Sequence, residues 1–552
     1  MPNGQVADRG VRAGLPAVES SRGLFMQVRK QRRLLAFAIS TALALPVAAA
    51  VTATTAQAVD CVGVSIPLTG NIQTTINANP AGTTYCLAAG VYKLSSPISL
   101  KTGDTLWGVG PSPTTGTMLS GAQVMTGWVA SGSNWYVNGV LPPDYGSNTT
   151  GIQCEDNVLN QCWRKEDIFR GSSTQLVRVG SIADLAPGKF YADYAANRVY
   201  VRDNPTTTTM QISRASSAIA SGTTTDVTVR GLGVRYFANQ SQSGAVQLGT
   251  RWNVFSVSIA YNHAAGFKFE QGDGASLSAS GVSYNGQLGG AVYRATNFSV
   301  TDVEVHHNNP QANYQVYDWE SGGIKVSTHS TGVLDTVTTH DNLGVGLWAD
   351  SYAGSSATTS GLEMRDSAIT NNSADGIRFE ISSNGYIHGS TITGNGCDLL
   401  GRRGAGVGGL FDGAGIDVNT ANTVEITGNT VSGNFNAIGG QHRKDRTLED
   451  NVTPIYLTGL NVHDNTVTST RCANGYGLGL TGVVTNDKAG HPQTYTTDNN
   501  RFVSNDYKIP AADGGLTAVR YSWAGSNSHK WATWTSPTGD NQDAGGTAVA
   551  IP

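Results

Sequence analysis

Two acidic residues, Asp350 and Glu380, close the short stretches Gly346-Leu-Trp-Ala-Asp350 and Gly376-Ile-Arg-Phe-Glu380. Each lies eight residues beyond an asparagine, Asn342 and Asn372 respectively. If those asparagines mark the same point in successive copies of one unit, the carboxylates stand one above the other on neighbouring strands, about 4.8 Å apart. Retaining glycosidases hold their two carboxyl groups at about 5–5.5 Å. Two carboxylates that close do not both ionise freely, so one is expected to titrate high and act as a general acid. Trp348 offers a face for a sugar ring, and Lys325 and Arg378 offer charged donors to hydroxyl or acidic substituents. The competing readings are a solvated acidic face and a cation site.

The positions depend on a repeat. Asn262, Asn285, Asn308, Asn342, Asn372, Asn395, Asn434 and Asn465 each close a segment rich in Val, Ile and Thr, and three of the steps are 23 residues long. The longer steps read as the same unit carrying an insertion. A period in the twenties, with alternating strands and no helical pattern, predicts a β-solenoid. The asparagine suits it twice over, by tolerating left-handed turns and by hydrogen-bonding to its copy on the next coil. Strand side chains alternate between core and exterior. The exterior positions therefore form two columns, expected to face solvent: Lys268, Ala291, Lys325, Trp348, Arg378, Asp417, and Glu270, Tyr293, Ser327, Asp350, Glu380, Asn419. Glu270 and Tyr293 join the candidate binding residues on that ground.

Loops on one face of a solenoid commonly carry binding. The insertion Tyr314-Gln-Val-Tyr-Asp-Trp319-Glu320 sets aromatics beside acids directly upstream of the columns, so Trp319 and Glu320 are candidate sugar contacts. Its alternative is a loop folded on its own side chains. Insertions at 351–360 and 396–414, the latter with Arg402, Arg403 and Asp412, are expected to wall the groove. His306, His340 and His463 each precede a turn Asn by two residues, which suits stacked structural histidines better than a metal-ligand motif.

Composition agrees with this architecture. With 68 glycines in 552 residues and only 14% charged residues, the chain is turn-dense and all-β. A net charge of −4 leaves no broad cationic face for nucleic acid, and no stretch after residue 60 is apolar enough for a membrane span. Arg29, Lys30, Arg32 and Arg33 precede an apolar run from Leu34 to Val51, and Ala56-Gln-Ala58 has the form of a cleavage site, together an export signal over residues 1–58 with the true start expected near Met26. The protein is therefore expected to be secreted. Its six cysteines then read as disulfides, with 61–86, 154–162 and 397–472 the expected pairs. The mature chain divides into a cap and first coils (59–125), a β-rich insertion (126–212), regular coils (213–510) and a Trp-containing tail (511–552).

The stretches Trp319-Glu-Ser-Gly-Gly-Ile-Lys325, Gly346-Leu-Trp-Ala-Asp350 and Gly376-Ile-Arg-Phe-Glu380-Ile-Ser resemble exported right-handed parallel β-helix proteins of actinobacteria, within the pectate-lyase-like superfamily. The resemblance spans roughly residues 60–545 and is specific for fold. It implies a single-stranded right-handed parallel β-helix with a capping helix at its N-terminal end. It is loose for chemistry, since the superfamily contains hydrolases, lyases and epimerases. The clustered calcium-binding aspartates and nearby arginine of pectate lyases are missing, as is the Asn-x-Asp, Asp-Asp, Gly-His pattern of polygalacturonases. The parallel-β-helix fucosidase and xylanase group is a remote likeness. Three functions are open, all with a polysaccharide or oligosaccharide partner. The first is a glycoside hydrolase with Asp350 and Glu380 as nucleophile and acid/base, needing no cofactor. The second is a polysaccharide lyase with Lys325 or Arg378 as base, in which calcium enters. The third is a non-catalytic carbohydrate-binding solenoid.

Overall fold

The computed structural model describes residues 60–552, apart from 143–153, 156–158, 160, 317–319, 355–360, 399–410, 449, 478 and 488. The export segment, Trp319, Arg402 and Arg403 thus lie outside the described residues. The coils stack as parallel strands. One sheet of 13 strands runs from Ile98–Ser99 to a closing antiparallel hairpin at 521–529. Eight of its strands form or flank the candidate site: β1 (Ala265–Glu270), β2 (Leu288–Tyr293), β3 (Gly322–Ser327), β4 (Val345–Asp350), β5 (Ile377–Glu380), β6 (Ala414–Asn419), β7 (Asn436–His442) and β8 (Thr481–Thr485). Their inward residues, among them Phe267, Phe269, Val292, Ile324, Leu347, Phe379 and Ile416, are buried in one continuous core. This is the expected parallel β-helix.

The open end of a stacked core must be covered, because it exposes unpaired strand edges. Helix α1 (Ile72–Ala78) lies at the N-terminal end. Asn71 caps it, its side chain accepting from the Thr74 N–H at 2.9 Å, and Ile72 and Ile76 enter the core. Between residues 122 and 213 the chain leaves the coils to form a five-stranded and a four-stranded sheet. Met125, Val137, Phe190, Val199 and Met210 give this part a core of its own. At the other end Trp534 is fully buried, donating its indole N–H to Asp543. The disulfides are Cys61–Cys86, Cys154–Cys162 and Cys397–Cys472, as expected.

The asparagines form a buried ladder. From Asn262 through 285, 308, 342, 372 and 395 to Asn434, each side-chain amide donates to the carboxamide oxygen of the next at 2.8–3.0 Å. The left-handed residue, however, is the one before each asparagine: Tyr261, Tyr284, His307, Asp341 and Asn371 have φ between 53° and 57°. The ladder asparagine is selected for its amide, not for the turn. It also explains a glycine four residues later. A Cβ on Gly346 would come 2.8 Å from the Asn372 amide nitrogen, and one on Gly376 would come 2.8 Å from that of Asn395. Asn465 belongs to a second ladder at the next corner, with Asn429 and Asn505. His463 moves with it: His306 and His340 stack at 4.9 Å, as expected, whereas His463 stands in the column of Thr427 and His388. The second corner escapes a search by spacing because its upstream positions are serines, Ser367 and Ser390.

Candidate active site

The strand register aligns both columns as the repeat implied. Lys268, Ala291, Lys325, Trp348, Arg378 and Asp417 are successive partners across β1 to β6. Glu270, Tyr293, Ser327 and Asp350 are partners across β1 to β4, and Glu380 pairs with Asn419 across β5 and β6. Ala349 pairs with Phe379, so Asp350 and Glu380 are the next residues along their adjacent strands.

The columns do not face open solvent as expected. Lys325, Trp348, Arg378 and Glu380 are each only 5–6% exposed, and Asp417 is fully buried. They point away from the core but are roofed by loops, since Val316 shares an apolar cluster with Trp348, Phe435 packs against that cluster, and Arg446 reaches over Glu380. A cleft of about 320 Å³ remains, lined by Glu320, Lys325, Trp348, Asp350, Arg378, Glu380, Arg443 and Arg446.

Each carboxylate in the cleft is ion-paired, Asp350 and Glu320 sharing one cation and Glu380 meeting another. Lys325 Nζ donates to Asp350 Oδ2 at 2.8 Å and to Glu320 Oε1 at 2.6 Å. Arg446 Nη2 donates to Glu380 Oε1 at 2.7 Å. Asp350 is further fixed by the Ser351 N–H at 2.6 Å, and Glu320 by Gln242 Nε2 at 2.8 Å. Burial works to lower the Lys325 ammonium, but Asp350 and Glu320 outweigh it and hold the group above its ordinary range. Arg378 is likewise pulled down by burial and raised on balance by Asp375, whose Oδ2 accepts from its Nε at 2.6 Å. Lys325 sits 4.3 Å from the centre of the Trp348 ring and Arg378 5.3 Å. Trp348 therefore does not offer the open sugar-stacking face expected of it. It is the apolar divider between two cations.

Behind the cleft lies an acidic layer, in which Asp417 from the first column is joined by Asp375, which the repeat did not single out. Asp375 accepts from Arg378 and from the Ala414 N–H, and both oxygens of Asp417 accept from Gln441 Nε2 at 3.0 Å. Burial pushes both carboxyls up, Asp417 furthest, with the neighbouring Asp375 charge adding to it. Arg443 and Arg446 were also missed. Their signal is the run Arg443-Lys444-Asp-Arg446 directly after β7, inside the long step before Asn465. Glu270 and Tyr293 stay outside the cleft. Glu270 pairs with Lys268 at 2.6 Å and Lys268 lies over Tyr293, three strands or about 14 Å from Asp350.

The sequence model of the right-handed β-helix region matches residues 243–431 and 352–522, together just over half of the chain. The chain belongs to the right-handed β-helix family. No curated protein matches this β-helix chain in sequence. Among solved structures, XylC in complex with xylose is 11% identical, with 81% of this chain and 83% of that chain covered and a TM-score of 0.52. The A-module of the mannuronan C-5 epimerase AlgE6 of Azotobacter vinelandii is 14% identical over 87% and 94% of the two chains, with a TM-score of 0.48. The catalytic domain of a GH87 alpha-1,3-glucanase in complex with nigerose is 9% identical over 81% and 64%, with a TM-score of 0.39. At these identities the likeness is one of fold.

Proposed function

We propose that this β-helix protein is a secreted glycan-cleaving enzyme, a glycoside hydrolase whose paired carboxylates are Asp350 and Glu380. The observation that carries the reading is their placement at one register position on β4 and β5, both opening into the same cleft. One strand spacing, about 4.8 Å, suits a retaining double displacement. Asp350, held by Lys325 and the Ser351 N–H, is assigned as nucleophile. Glu380, whose partner Arg446 is one-third exposed on a loop, is assigned as acid/base. In the first step Asp350 bonds to the anomeric carbon while Glu380 gives its proton to the departing oxygen. In the second, Glu380 takes a proton from water as that water releases the sugar.

The lyase alternative loses support from the cations. A lyase base must accept a proton, and Lys325 and Arg378 are both held protonated by the acids beside them. The disulfides fit an exported protein. The test is a polysaccharide panel with and without EDTA, on wild type and on Asp350→Asn/Glu380→Gln, reading reducing ends and unsaturated products. Reducing ends that survive EDTA and vanish in the double variant are expected. Unsaturated products, or activity unchanged in the variant, would overturn the assignment.

A further inference from the structure

The residues just before the ladder asparagines form their own column on the outside of the corner. Tyr261 and Tyr284 stack at 5.0 Å with their planes 4° apart, and Tyr284 stacks on His307 at 5.0 Å. On the next coil the column changes from aromatic to Asp341, and His307 N–H donates to the His340 carbonyl between them. The parallel column one residue earlier carries His306 and His340, stacked at 4.9 Å. Where the two columns meet, ligand atoms of His307, His340 and Asp341 all lie within 4.8 Å of one another, the one such group among the described residues.

We propose that His307, His340 and Asp341 form a binding site for a divalent transition-metal ion of the zinc class, clamping two adjacent coils at this corner. Two imidazoles and one carboxylate are the donor set that zinc accepts, with water or a further nitrogen in the fourth position. Calcium, which requires oxygen ligands, is not suited to it. His306 Nδ1 lies 2.8 Å from His307 Nδ1, so a further imidazole stands beside the three ligands. The ligands are carried on a rigid frame: His340 ends a strand paired to that of His306, and His307 and Asp341 occupy the same left-handed turn position.

The chain contains its own control. His463 donates or accepts at Asp464 at 2.7 Å and Glu425 at 3.0 Å, as His340 does at Asp341 at 2.7 Å and Glu304 at 3.3 Å. The residue at the turn position one coil before Asp464 is Gly428, so no second imidazole is supplied there. The His–Asp–Glu cluster is thus a recurring structural unit, and His307 is what converts one copy into a three-ligand set.

The test uses the full chain freed of metal by EDTA and dialysis, titrated with zinc sulfate by calorimetry, with bound metal counted after gel filtration. Wild type should retain one zinc, and zinc should raise its Tm. His307→Gln and Asp341→Asn, both at exterior positions, should fold with unchanged metal-free Tm, bind zinc at least about tenfold more weakly and lose the zinc-dependent rise. His463→Gln should bind as wild type does. Absence of retained zinc in wild type, equal binding by the His307→Gln and Asp341→Asn variants, or loss of binding in His463→Gln would overturn the proposal. So would calcium uptake at this site in place of zinc.

Discussion

Lys325 touches Asp350, Glu320 and the Trp348 ring at once while being 5% exposed, so its charge is committed to holding the cleft together. Replacing it by methionine leaves two carboxylates facing each other without a counter-charge. Breaking a buried pair from one side costs about 3 kcal/mol or more, so Lys325→Met should lower the urea midpoint clearly. A midpoint within error of wild type would contradict the buried network. Asp417 behaves oppositely. Burial and Asp375 raise its folded pKa above the unfolded value of 3.8, so the folded state binds more protons than the unfolded one between that value and the raised one. The contribution of Asp417 to stability must therefore fall as pH rises from about 4 through that window. Asp417→Asn should flatten this slope and be more stable than wild type at neutral pH, read from urea midpoints against pH. A variant less stable than wild type at neutral pH would mean that a charged Asp417 is needed. At this scale, the vertical position of Asp350 and Glu380 was legible because period-2 strands and a fixed repeat determine it. Their partners were not. Arg446 arrives from a loop 66 residues beyond Glu380, and no local pattern encodes that reach.

At the scale of the coil, the Asn–x–x–x–Gly spacing is one packing device, in which each ladder amide occupies the space that the glycine of the coil before leaves open. Asn372 donates to Thr339 O at 3.2 Å and to Asn395 Oδ1 at 3.0 Å, and accepts from Asn342 Nδ2 at 2.9 Å. Asn372→Ala would strand these buried partners, each worth about 1–3 kcal/mol when unsatisfied. A loss of at least about 2 kcal/mol in a urea unfolding series is expected, and a loss below about 0.5 kcal/mol, the scale of a neutral surface change, would contradict the ladder's role. The asparagines themselves were the clearest signal in the sequence, yet spacing alone placed Asn465 on the wrong corner. Two corners per coil share one chemistry, and the second uses serine in its upstream coils, where the side chain is too short to be recognised by type. The exposure of the columns was misjudged for a related reason: alternation says which side of a strand a residue leaves by, not what a later loop lays over it.

For the whole molecule, the fold was legible because a solenoid is nearly one-dimensional: each coil's contacts are with its neighbours, so periodicity alone determines the stack. Cys397–Cys472 ties together coils separated by 75 residues of sequence. Chain-entropy arguments give such a closure about 4 kcal/mol, so Cys397→Ser/Cys472→Ser should unfold at distinctly lower urea, and an unchanged midpoint would mean that the coils hold that register unaided. No helix among the described residues is long and apolar enough to cross a membrane. The stack brings Asp350 and Glu380 to one register position on adjacent coils, and their action as a catalytic pair is open to direct measurement. Turnover of Asp350→Asn, Glu380→Gln and the double variant would be followed on a glycan that the wild type cleaves, each with its Tm recorded. Each single variant, if its melt shows it folded, should lose at least about a hundredfold in kcat, and the double should fall little further, because the two residues act as one unit. Either folded single variant turning over within about tenfold of wild type, a tenfold change being only ~1.4 kcal/mol of barrier, would contradict the pair.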